Sequence, residues 1–133
     1  MIGISRRADY GVRAMLCLAE KGSASSREIA KTMHIPGKFL PHIFTDLSRA
    51  GLVSSSRGNG GGVRLAKRAS EITLRNVVEA IEGPVALNQC LLDAKFCCRS
   101  PKCPVRKVWA RAQAEMVSVL GKTTLKDMAR RGC

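Results

Sequence analysis

Leu52-Val53-Ser54-Ser55-Ser56-Arg57-Gly58-Asn59-Gly60-Gly61-Gly62-Val63-Arg64-Leu65 holds two short strand-like runs around a glycine-rich turn. Apolar residues in each run, with Asn and Gly between the runs, predict a β-hairpin. The tip offers almost no side chain, and its shoulders are Arg57 and Arg64. Glycine lets backbone come close to a phosphate or a groove floor, and arginine suits phosphate or a narrow minor groove. An ordinary surface hairpin has no need of that combination.

Upstream of the hairpin the pattern is helical. Ser5 caps a first helix running to about Lys21, with Gly11, Ala14, Met15 and Leu18 at helical spacing. Gly22–Ser26 reads as a small-residue turn. Ser25 followed by Glu28 is a capping box, so a second helix starts there. His34-Ile35-Pro36-Gly37 ends it. A third helix turns Phe39, Leu40, Ile43, Phe44 and Leu47 inward, and Gly51 suits its C-terminal stop. Pro41 is tolerated only in a first turn, which places the regular helix start near Gly37 or later. Two short helices joined by a tight turn and followed at once by a basic hairpin read as a winged helix-turn-helix. On this reading Lys38, His42 and Arg49 lie on the outer face of the third helix. Ser26 and Arg27, opening the second, reach phosphate. These five, with Arg57 and Arg64, are the candidate DNA contacts.

Downstream, Thr73 caps a fourth helix, with Ile72 stapled onto Val77, and Gly83-Pro84 stops it. Pro104 opens a long helix, whose apolar stripe is Val105, Val108, Trp109, Ala112, Met116, Val119 and Leu120. A chain of 133 residues is too small to cover that stripe alone, so a second copy is its expected cover. Thr124 caps a last short helix, Leu125–Arg130. The expected fold is mainly α with a small β-hairpin wing. It divides into a DNA-binding domain over residues 1–83, a cysteine-rich loop over 84–103, and a dimerisation helix and tail over 104–133.

Charge agrees with a polyanionic partner. The net charge is +13, with 12 Lys/Arg against 4 Asp/Glu in residues 1–68 and 11 against 6 in 69–133. A field spread over both halves costs self-repulsion that solubility alone does not require. No apolar window is long enough for a membrane span, and the charged opening decapeptide is unlike a secretory signal. A cytoplasmic protein is expected. No nucleophile–base set, carboxylate pair or phosphate-binding Gly-Lys-Ser/Thr loop is present, which speaks against an enzyme.

Six cysteines in a reducing compartment are not a disulfide framework, and four of them, Cys90, Cys97, Cys98 and Cys103, crowd one segment. Thiolates hold iron–sulfur clusters or zinc, the latter usually through a Cys-x2-Cys knuckle that is missing here. Wide, uneven spacing on a loop suits a cluster, which must be wrapped. Lys95, Arg99, Lys102, Arg106 and Lys107 surround the thiols, and positive neighbours favour thiolate. Free or transiently oxidised cysteines are the alternative.

At this point a family resemblance is specific. Ala8-Asp9-Tyr10-Gly11-Val12-Arg13-Ala14-Met15-Leu16, Ile35-Pro36-Gly37-Lys38-Phe39-Leu40, Leu47–Val53, Ser56–Gly62, Cys103–Trp109 and Thr123-Thr124-Leu125 together resemble the Rrf2 family of transcription regulators, the group of IscR, NsrR and RirA. The likeness runs over essentially the whole chain. It implies a homodimer on an operator in double-stranded DNA, most often as a repressor. It also implies a cluster, [4Fe-4S] or [2Fe-2S], held by three loop cysteines and answering to iron status, nitric oxide or redox stress. Cys90 and Cys103 match the outer ligands. Cys97 leaves gaps of six and five residues and Cys98 gaps of seven and four; the commoner family spacing favours Cys97, with Cys98 as a spare thiol or redox partner. IscR-like members place a histidine three residues after the last cysteine, where this chain has Arg106. NsrR-like members use an aspartate of the partner's first helix, which Asp9 matches. The resemblance therefore leans to the NsrR-like side. Other members lack the cysteines, which leaves open a cluster-free regulator controlled by thiol oxidation or a protein partner.

Overall fold

The computed structural model describes residues 3–56 and 62–129. Seven α-helices and a three-stranded sheet are present among them: α1 (Arg6–Lys21), β1 (Ser23–Ala24), α2 (Ser26–Met33), α3 (Leu40–Arg49), β2 (Val53–Ser55), β3 (Val63–Leu65), α4 (Leu74–Glu82), α5 (Gln89–Leu92), α6 (Pro104–Lys122) and α7 (Leu125–Ala129). The helix starts follow from side-chain caps. Ser5 Oγ accepts from Ala8 N at 3.1 Å. Ser25 and Glu28 form the reciprocal box at the head of α2. Thr73 and Asn76 form another at the head of α4, and Thr124 and Asp127 exchange bonds of 3.0 and 3.1 Å at the head of α7. Each such cap contributes about 0.5–2 kcal/mol.

Between α2 and α3 the chain turns on His34, the one non-glycine with positive φ among the described residues, at 55°. A short 3-10 turn over Gly37–Phe39 then leads into α3. Leu40 is the first residue of α3 and Pro41 the second, so the missing N–H falls where no helical acceptor exists. The core is one mainly aliphatic cluster gathered from α1 to α4, the three strands and α7. Met15, Leu18, Ile29, Leu40, Ile43, Leu47, Ile72, Val77 and Leu125 are fully buried in it. Phe39 and Phe44, expected inward, are only partly buried against it.

Two features depart from the sequence reading. The Gly22–Ser26 turn contains a strand: Ser23 pairs with Arg64 and Ala24 with Val63, antiparallel. The wing is thus a three-stranded sheet in the order β1-β3-β2. Two residues are too few to show a strand period, so nothing local announced β1. The second departure is at the C-terminal end. Leu74 N donates to Thr123 O, and Leu125 N to Ile72 O, both at 2.9 Å. These bonds seat α7 beside α1 and carry Leu125, at 0% exposure, into the core of the N-terminal half.

Helix α6 begins at Pro104 as expected, and it buries none of its residues fully. Val105, Val108, Trp109 and Val119 are exposed. No helix among the described residues is long and apolar enough to cross a membrane.

Candidate nucleic-acid interface and cysteine pocket

The first site is assembled from the helix-turn-helix and the wing. Ser26 and Arg27 occupy the first turn of α2 and are exposed. With Ala30, Lys31, Gly37 and Leu40 they line an open concavity between the head of α2 and the start of α3. The capping box takes the Glu28 N–H; the remaining first-turn N–H groups and two cations at one rim are of the kind that can receive a phosphate. Lys31 is the residue that the sequence reading missed. It stands four after Arg27, one helical turn on, and that spacing alone would have found it. Lys38 is exposed beside this concavity, its Nζ 5.5 Å from the Phe39 ring centre. His42 and Arg49 are exposed on the outer face of α3. Asp46, on the same helix, is engaged by Arg7 of α1 at 2.6 Å, which fixes α3 against α1.

Arg64 is exposed on the central strand, with Nε donating to Ser54 Oγ at 3.4 Å. Arg57 lies outside the described residues. Gly62, at the base of the wing, has a role different from the one its turn suggested. A Cβ there would stand 2.7 Å from the Ala24 carbonyl oxygen and 3.0 Å from its carbon. Here glycine admits the protein's own β1 backbone.

The second site lies at the root of α6. Cys90 is on α5, Cys97 and Ser100 follow in the loop, and Cys103 immediately precedes Pro104. All four line one cavity of about 190 Å³, together with Asn88, Phe96, Arg106 and Trp109. Cys98 is exposed and lies outside that cavity, in an outer concavity with Arg99, Lys102 and Cys103. Cys103 therefore borders both. Arg106, at the position of the IscR-like histidine, lines the cavity, and its Nε donates to the Cys90 carbonyl at 3.2 Å. Leu87 N donates to Gln113 Oε1 at 3.0 Å, a second tie between the loop and α6.

The donors fit a cluster in kind: Cys90, Cys97, Cys103 and Ser100 line the same space, and the Ser100 hydroxyl is buried without a hydrogen-bond partner. Among the described residues, no three Cys, His, Asp or Glu side chains are gathered tightly enough for a single ion. A multi-iron cluster spreads its thiolates around several atoms. Asp9 does not line this cavity. It sits in the first turn of α1, half exposed, paired with Arg13 at 2.8 Å. Cys17 is in the core, where burial pushes its thiol pKa up; it is an inert packing residue.

A family model described as Rrf2, an iron-dependent transcriptional regulator, matches residues 4–131. An rrf2-like HTH-type transcriptional regulator of Rhodobacter capsulatus is 32% identical over 140 aligned positions, covering 97% of this chain and 93% of that protein. Among solved structures, CymR, the global cysteine regulator of B. subtilis, superimposes with a TM-score of 0.82 at 32% identity, covering all of both chains. IscR of T. potens superimposes with a TM-score of 0.78 at 27% identity, over 99% of this chain and 89% of that one.

Proposed function

This chain belongs to the Rrf2 family of transcriptional regulators, built on a DNA-binding winged helix, and on that premise we propose that it is a cytoplasmic homodimeric repressor whose grip on its operator is set by an iron–sulfur cluster. The single observation that carries the sensing half is the convergence of Cys90, Cys97 and Cys103 on one cavity at the root of α6. Cys98, outside it, is the spare thiol. In the absence of the IscR-like histidine, the fourth ligand is Asp9 of the partner subunit, released from Arg13, as in the NsrR-like branch.

For DNA, the head of α2 with Ser26, Arg27 and Lys31 holds phosphate. Lys38, His42 and Arg49 face the major groove from α3, and Arg64 and Arg57 carry the wing to the backbone or minor groove. The exposed stripe of α6 supports the homodimer, and two-fold symmetry then calls for a nearly palindromic operator. Cys90, Cys97 and Cys103 would supply the thiolates, and a bound cluster would supply iron and sulfide whose bonds to them respond to iron supply, oxidants or nitric oxide. The chain supplies the relay: Cys90 is tied by its carbonyl to Arg106, and Leu87 to Gln113. A change in the loop is thus felt by α6, which joins the two reading heads. Regulation of this kind requires a free-energy difference between two dimer geometries.

Anaerobic purification with an absorption spectrum and iron and sulfide counts tests the reading. Iron should be held by wild type and by Cys98→Ala, and lost by Cys90→Ala, Cys97→Ala and Cys103→Ala. A colourless, iron-free wild type would defeat it. A cluster-free reading has one observation in its favour: Cys98 and Cys103 share the outer concavity, a place for thiol oxidation. Redox-dependent DNA binding by iron-free protein would support it.

A further inference from the structure

Ser100 Oγ is the one buried side-chain oxygen among the described residues that lacks a hydrogen-bond partner. The residue is 5% exposed. Its backbone is satisfied, with N donating to Cys97 O at 3.1 Å. The side chain is held at the start of a 3-10 turn over Ser100–Lys102, which Pro101 stiffens. It stands three residues from Cys97 and three from Cys103, and it lines the cavity that both thiols share with Cys90. A buried hydroxyl without a partner costs a fold stability, and such a group calls for an explanation in strain, a redox role, or a bound water, ion or ligand. Arg106 lines the same wall and brings a permanent positive charge.

We propose that Ser100 is a ligand-binding residue: its hydroxyl donates a hydrogen bond to a sulfur of the group held by Cys90, Cys97 and Cys103, while Arg106 offsets that group's negative charge. This rests on the cluster reading above and adds to it a residue that spacing and family motif leave unassigned. A serine hydroxyl has one O–H to give, and three thiolates with bridging sulfide present only acceptors. Hydrogen bonds to cluster sulfurs are one of the levers that set the reduction potential. A donor stabilises the form with more negative charge, which is the reduced one. Ser100 therefore raises the potential and slows loss of iron.

The test uses the full chain, reconstituted anaerobically with iron and sulfide, as wild type and Ser100→Ala. Three quantities are read: the midpoint of a reductive titration followed by absorbance, the rate of iron loss to a chelator, and the thermal midpoint of the cluster-free protein. Loaded Ser100→Ala should reduce at a lower potential and lose iron several-fold faster than wild type. Cluster-free Ser100→Ala should unfold at the same temperature or higher, because the deleted hydroxyl has no partner there. A merely structural serine would reverse that last result. An unchanged potential and iron-loss rate in a loaded variant overturns the assignment of Ser100 and leaves the cluster standing. A cluster-free variant less stable than wild type overturns it as well. A wild type that takes up no cluster overturns both readings together.

Discussion

Arg106 Nε donates to the carbonyl oxygen of Cys90 at 3.2 Å across sixteen residues of chain. The bond joins the first cysteine of the loop to the first turn of α6. A hydrogen bond to a charged donor contributes about 1.5–3 kcal/mol when partly shielded. Arg106→Ala should free the loop without unfolding the core, to which Arg106 does not belong. Limited chymotrypsin digestion should cut at exposed Phe96 several-fold faster, with little change in the main thermal transition. Equal cleavage rates would show that the bond does not restrain the loop.

The residues proposed to hold DNA should separate by their salt dependence. Arg27→Ala and Arg64→Ala should weaken binding to every duplex. Each should also lower the slope of log K against log salt by about 0.9 for every phosphate left without its cation, summed over both subunits. His42→Ala should instead cost about 1–3 kcal/mol per half-site on the operator alone. Titrations at several salt concentrations with operator and unrelated duplex distinguish the two. A uniform loss for His42→Ala would remove it from base reading.

Val119 is 64% exposed on α6. Val119→Glu should leave the fold intact, since the native site is not in the core, but should place charge in the proposed interface between subunits. Light scattering should report a monomer, and operator affinity should fall by orders of magnitude. A dimer that survives this change would move the interface off that face.

Gly62→Ala brings a methyl group against the Ala24 carbonyl at 2.7 Å. Backbone cannot yield as a side chain does, so the cost is that of overpacking, about 1–3 kcal/mol. The strain falls on the β1–β3 pairing. Weaker DNA binding with a lower thermal midpoint is the expected pair of effects. Unchanged stability would mean that the wing relaxes at no cost.

Local chemistry was readable from the sequence. The Ser25–Glu28 box, the Pro41 and Pro104 helix starts and the glycine stops act within a few residues, and all stand where their patterns predict. Features made by distant partners were not readable. Strand β1 exists only through its bonds to Val63 and Arg64, and Leu125 is core only because the chain returns to Ile72. In the cysteine loop, spacing left Cys97 and Cys98 as alternatives, and only the folded loop puts one on the cavity and the other outside. A serine in a polar segment gives no signal at all, and Ser100 is conspicuous only once its surroundings are known.

The return of Leu125 to the core has a mechanical consequence. Helix α6 is a rod of 19 residues, about 28 Å at 1.5 Å per residue. Its far end is pinned by Thr123 and Leu125 to the scaffold that carries α3, its first turn is tied to Cys90 through Arg106, and its middle to Leu87 through Gln113. Such a rod has a pivot at one end and a loop-held arm at the other. A shift of one ångström at the arm becomes a small angular error at the pivot, shared with the scaffold that aims α3. On the proposed reading, such a regulator need not unfold, or even open, to let go of DNA; it has only to lose its aim.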